Sequence, residues 1–285
     1  MQNYIRSIGF SMYKKKTEVR ELLDKIQREN IASARIVVTK EKERLWEIRK
    51  DISPSLGLCI HGYMENLGVF IREGFYPYMK NTVTSSTSSC SAERYVDGIN
   101  YFGMLDDGRL GMSLIFRLSN SLDYIDNANT SIKSTSLFGF CNDAKVLLPI
   151  KQSVAELEIA KQRIFNRDLF FEVPKFSTDS INLTEEDVII NSTLNSRIQN
   201  EDLYSIVDTL FMPFGMATDM YSIIGKILDF SQEENSETGE AIMILKIESS
   251  DIIFTIAIRK DDLQGEPLIG RRFKGNVWLN GKVKL

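Results

Sequence analysis

Between Lys14 and Asn30 the apolar residues Val19, Leu22, Leu23 and Ile26 recur at spacings of three, four and seven among charged residues, which predicts one amphipathic helix. The pattern then changes to β-branched and alternating runs, Ala34 to Thr39 and Glu43 to Arg49, separated by a charged turn; this is a strand pair. Leu56 to His61, Gly68 to Glu73, Glu93 to Met104 and Leu110 to Leu118 are further strands. In Asp106-Asp107-Gly108, the glycine is expected to supply the positive φ of a tight hairpin. Thr82 to Ser91 is hydroxyl at every position except Val83 and Cys90 and is expected to be an exposed loop, because Ser and Thr bond to their own backbone.

Ser136 to Ile150 predicts one more strand. Ser153 to Phe165 predicts a helix on Val154, Leu157, Ala160 and Ile164, and a second starts at Thr184 and extends through Leu203 to Phe211. From Tyr221 the chain is strands only: Tyr221 to Phe230, Ala241 to Glu248, Ile252 to Ile258, and Arg271 to Leu285, with a hairpin at Ser249-Ser250-Asp251. These elements predict an α+β protein: an N-terminal mixed antiparallel sheet with helices over residues 1–215, and a small C-terminal all-β, barrel-like module of OB or SH3-like size over 216–285.

Composition narrows the class. The 285 residues are 43% hydrophobic with six prolines, which fits a packed chain and excludes a disordered or collagen-like one. The formal charge of −4 argues against a surface that coats nucleic acid or membrane as a whole. No apolar run reaches membrane-spanning length, and the start of the chain is not expected to be a signal peptide. Three dispersed cysteines, Cys59, Cys90 and Cys141, suit a reducing compartment, so the expected location is the cytoplasm.

Candidate chemistry is sparse. His61 is the single histidine and no Gly-x-Ser-x-Gly occurs, so a serine triad has no sequence support. Cys59 and His61 are one residue apart while Cys90 and Cys141 stand alone, unlike the close ligand pairs of structural zinc, so neither metal nor cofactor is expected. Acidic pairs such as Asp106-Asp107 and Asp261-Asp262 have solvation or capping as their default role. The one enzymatic arrangement open to the chain is a hydrolase-type site in which Glu65 and Glu73 meet His61.

The C-terminal end carries the strongest signal. From Gly270 onward there are five basic side chains and no acidic one. Strand alternation places Phe273, Val277, Leu279, Val283 and Leu285 on one face and Arg272, Lys274, Trp278, Lys282 and Lys284 on the other, unless Gly275 and Gly281 break the register. Cations around an indole suit an anionic ligand or single-stranded nucleic acid.

Tyr4 to Phe10, Gly111 to Asn120, Lys145 to Ile150 and Asp262 through Leu279 together resemble a clostridial (Firmicutes) protein family classified as a domain of unknown function. The resemblance spans essentially the whole chain and implies a bacterial cytoplasmic protein, but it brings no catalytic residue. The expectation is therefore a non-enzymatic binding or regulatory protein whose C-terminal module contacts an anionic partner. The alternatives are the carboxylate enzyme at His61 and a scaffold or homo-oligomer built through Thr184 to Phe211.

Overall fold

The computed structural model describes residues 4–39, 44–65, 68–95, 100–127, 130–147 and 209–285. The protein is mostly β, with a closed five-stranded barrel and a separate antiparallel sheet. The expected helices at Ser153 to Phe165 and from Thr184 lie outside the described residues, apart from Thr209, Leu210 and Phe211. Leu210 and Phe211 belong to a strand rather than to the expected helix.

The predicted first helix is α1, Lys16–Asn30, and it buries Val19, Leu22, Leu23 and Ile26 as the spacing requires. The smaller sheet has the order β1 (Arg35–Val38), β2 (Arg44–Asp51), β3 (Leu56–Met64), β4 (Phe70–Met79), antiparallel throughout. Strands β5 (Ser89–Arg94), β6 (Tyr101–Asp107) and β7 (Met112–Leu118) form a meander. A short helix, α2 (Ser121–Asp126), follows. Next come β8 (Ser134–Leu147), β9 (Leu210–Pro213), β10 (Met220–Glu234), β11 (Ala241–Ser249), β12 (Ile252–Arg259), β13 (Leu263–Gln264) and β14 (Arg272–Lys284).

The barrel runs β8-β12-β11-β10-β14 and closes by pairing β14 with β8. Its hairpins are antiparallel, whereas β8 and β12 are parallel. Strand β14 also pairs in parallel with β7, so the meander continues from the barrel wall. The barrel is not contained in residues 216–285, because its fifth strand is β8. Alternation could identify each of these strands but not the parallel partner more than a hundred residues away.

One face of each barrel strand fills the interior: Leu137 and Cys141 of β8, Ile223 and Ile227 of β10, Leu245 and Ile247 of β11, Phe254 and Ile256 of β12, Phe273 and Val277 of β14. The opposite face of β8 and β12, with Phe138, Phe140 and Ala257, packs in a second cluster with Ile5, Ile8 and Phe10, with α1, and with Ile48, Leu58 and Ile60 of the smaller sheet. Arg6 holds this N-terminal segment to Asp262, its Nε and Nη2 donating at 2.7 and 2.5 Å. Burial raises the pKa of Asp262, but Arg6 and Arg259 outweigh it and bring the carboxyl down to about 2. This acidic residue is a clamp rather than a solvating cap.

Two local expectations change and two hold. The left-handed residue after β6 is Gly111, with φ +66°, and not Gly108. The Ser/Thr segment is not wholly exposed: Ser85 and Ser86 are buried, and the Ser86 hydroxyl donates to buried Asp107 at 2.5 Å. In β14 the glycines leave the register intact, and Gly275 instead makes room for Phe273, Ala144 and Cys141. The hairpin at Ser249-Ser250-Asp251 forms as expected, with φ of 50° and 61° at Ser250 and Asp251, the signature of a two-residue turn matched to strand twist.

Glycine substitutions test this geometry. A Cβ at Gly139 would lie 2.1 Å from Val277 Cγ1 across the barrel closure. Gly139→Ala should therefore lower unfolding stability by about 1–3 kcal/mol, measured by urea titration. Gly108→Ala meets no heavy atom within 4 Å, and it should change stability by less than about 0.5 kcal/mol. Gly111→Ala should cost about 1 kcal/mol, from its backbone conformation.

Candidate functional site

Register in the smaller sheet assembles a polar surface on one face. Residues directly opposite across neighbouring strands project to the same side. Glu47, His61 and Gly74 form one such row; Arg49, Cys59 and Tyr76 form the next; Asp51, Gly57 and Tyr78 form the third. The glycines provide space for rings, since a Cβ at Gly74 would lie 2.7 Å from His61 and one at Gly57 would lie 2.3 Å from Tyr78. The alternate residues Ile48, Leu58 and Ile60 face the apolar cluster with α1.

Glu47 is the centre of this surface and is only 3% exposed. A buried carboxylate costs several kcal/mol unless donors surround it. Here Tyr76 donates its hydroxyl to Oε1 at 2.6 Å, the Cys59 thiol donates to the same oxygen at 3.2 Å, and Arg49 Nε donates to Oε2 at 3.0 Å. Burial followed by the Glu47 charge pushes the Cys59 thiol well up, and burial with Cys59 and Glu47 does the same to the Tyr76 phenol. Both are therefore protonated donors at neutral pH rather than nucleophiles. Burial opposes the charge of Arg49, but Glu47, Tyr76 and Cys59 outweigh it and raise its pKa.

The meander and the barrel supply the facing wall. Arg117 of β7 places its guanidinium carbon 3.5 Å from the centre of the Tyr76 ring, while Nη2 donates to Asn100 Oδ1 at 2.6 Å. Such a cation over a desolvated ring contributes about 1–2 kcal/mol. Trp278 of β14 packs against Cys59, Tyr76 and Tyr78. Lys282 donates its Nζ to the Lys80 carbonyl at 3.0 Å. Leu45, Glu47, His61, Tyr76, Arg117, Ser121 and Leu122 line a narrow cleft of about 20 Å³, room for about one water-sized atom.

The expected site residues are distributed as follows. His61 lines the cleft, but Glu65 and Glu73 do not; both are exposed, and Glu73 is the extra residue where the β3–β4 register shifts. The carboxylate in the row of His61 is Glu47. On β14, alternation places Phe273, Val277, Leu279 and Val283 inside the barrel, and the even-numbered residues lie on the other face. That face is partly covered. Arg272 is buried, and Trp278 stacks on Tyr4 at 4.7 Å and donates Nε1–H to Asp219 at 2.6 Å, so its ring is no open platform for a base. Lys274 lines a separate cavity with Asp143 and Lys145, while Lys284 is exposed. The structure brings Trp278 and Lys282 to the His61 side of the smaller sheet and leaves Arg272, Lys274 and Lys284 apart from its cleft.

Two other groups lack site chemistry. Arg109 lines a cavity with Thr84 to Ser88, but Asp107 grips it through Nε and Nη2 at 2.9 and 2.6 Å. Cys59, Cys90 and Cys141 are free thiols, and among the described residues no set of three or more His, Cys, Asp or Glu could hold a metal ion. Sequence reasoning missed Glu47, Arg49, Tyr76 and Arg117. The one available signal was the odd-numbered polar series Glu47, Arg49 and Asp51 in β2, opposite a β3 that is apolar on both faces.

Lys282 makes this surface sensitive to pH. Burial, followed by repulsion from Arg49, lowers its pKa from 10.5 to about 8. Between those values the unfolded chain holds a proton that the folded chain has released, so this group makes stability rise with pH from about 8. Urea unfolding across the lower part of that window, before the tyrosines titrate, should show the rise. Lys282→Met should remove it, and an identical slope in both proteins would contradict the assignment.

No helix among the described residues is long and apolar enough to cross a membrane. No curated protein matches the chain, and no solved structure does. The family described as a domain of unknown function with an E. rectale gene description (DUF3881) matches residues 5–281. With that match running from the N-terminal clamp through the whole of the cleft to β14, the chain belongs to this family.

Proposed function

We propose that the protein is a non-enzymatic binding protein with a site for an anionic partner where β7 and β14 face β2, β3 and β4. The observation that carries this reading is Arg117: the residue is 8% exposed, and its Nη1 has no hydrogen-bond partner among the described residues. A buried donor left in this way is costly unless a ligand meets it. Arg49 and Lys282 add positive charge to the same region, against the carboxylate of Glu47.

The five-stranded barrel, of OB or SH3-like size, then acts as a scaffold that presents one strand's outer face. Free thiols support a reducing, cytoplasmic setting. The enzymatic alternative has Glu47 opposite His61 in its favour. Three donors already hold that carboxylate, however, and the nearby thiol and phenol are protonated, so none of these three groups is poised as base or nucleophile. Trp278 covered by Tyr4 favours a small anion over a stacked nucleic acid.

Thermal unfolding with acetate, phosphate, sulfate and single-stranded DNA, each at matched ionic strength, tests the reading. At a hundredfold excess over Kd, a ligand of the native state adds about 2.7 kcal/mol. At least one small anion should raise the midpoint, and Arg117→Gln should weaken that effect about tenfold. If no anion raises the midpoint, the reading fails.

A further inference from the structure

Arg117 and Ser119 stand two residues apart at the end of β7, and Ser119 is 1% exposed. The Ser119 hydroxyl, like Arg117 Nη1, has no partner among the described residues. The Ser119 carbonyl, by contrast, accepts from Arg49 Nη2 at 3.3 Å, which keeps this residue against the Glu47 cluster. Both unmet polar groups thus belong to the end of β7, and of the two residues it is Arg117 that lines the cleft with His61 and Tyr76.

Shape limits what can meet them. A guanidinium carbon 3.5 Å above a ring centre requires face-to-face stacking, so the donors of Arg117 lie in a layer parallel to the Tyr76 ring. Since Nη2 is held by Asn100, Nη1 offers a single-point contact. The cleft volume of about 20 Å³ admits one ligand oxygen at a time. Glu47 in the wall also opposes a doubly charged group more than a singly charged one.

We propose that the cleft takes a carboxylate: one oxygen enters to accept Arg117 Nη1–H, Ser119 at the end of the same strand is the second donor the ligand recruits, and the rest of the ligand stays outside. This deepens the anionic-partner reading and rests on it. A singly charged carboxylate matches the one open donor of Arg117 beside Glu47, whereas phosphate and sulfate bring more oxygens to satisfy and more charge against Glu47.

The single histidine makes the site observable without further labelling, because any imidazole resonance in the spectrum is that of His61. The unchanged full chain is titrated at fixed pH and ionic strength with acetate, propionate, phosphate and sulfate, while the His61 signal and the thermal midpoint are followed. Acetate and propionate should shift the signal saturably, with phosphate and sulfate at least about tenfold weaker. Ser119→Ala should weaken carboxylate binding, and Arg117→Gln should weaken it about tenfold; the wild-type titration stands even if the arginine variant does not fold. Phosphate or sulfate binding as well as the carboxylates would overturn the carboxylate assignment and leave an anion site. A raised midpoint with a still His61 signal would place the anion elsewhere and also overturn it. No saturable response to any anion would overturn both readings.

Discussion

The closure of β14 onto β8 is the contact on which the arrangement depends. A five-stranded barrel has little interior, and its wall can meet only where side chains shrink to hydrogen. Gly139 under Val277 and Gly275 beside Phe273, Ala144 and Cys141 provide those places. Once closed, the barrel has no free edge on these strands, and β14 has a fixed inner and outer face. Its position also directs β7, its parallel neighbour, and so sets where Arg117 emerges.

The smaller sheet uses both of its faces, and the two differ in kind. One joins α1, the N-terminal segment and the outside of the barrel in an apolar cluster. The other buries Glu47 beneath a thiol, a phenol and a guanidinium. An ion pair in such a setting contributes little net stability against an apolar replacement, because desolvation opposes the attraction. What the polar face provides is a fixed orientation: Glu47 holds Tyr76, Tyr76 carries Arg117, and Arg117 Nη1 is left without a hydrogen-bond partner among the described residues.

Much of the chain was legible from its own pattern. The first helix, the β1–β2 pair, the strands from Met220 onward and the Ser250-Asp251 turn follow from periodicity and turn chemistry. So does the alternation of β14, with Phe273 and Val277 inward. Other residues misled because their surroundings override a local preference. Ser85 and Ser86 read as a solvated loop, yet a bridge from Ser86 to Thr135 and the carboxylate of Asp107 satisfy them in the interior. Glu73 read as a partner of His61, yet the β3–β4 register shift leaves it exposed.

By itself the sequence determined the first helix, the β1–β2 pair and the strands from Met220 onward, which residues of β14 share a face, and that no mechanism can use two histidines. Only the tertiary structure decided that β8 lies parallel to β12, that Glu47 rather than Glu65 or Glu73 shares the row of His61, and that Tyr4 covers Trp278. The reason is physical. Periodicity records whether a side chain meets apolar or aqueous surroundings, a property of each position along the chain. The choice of partner strand depends on the combined burial and hydrogen bonding of segments far apart in sequence, and no local pattern carries that sum.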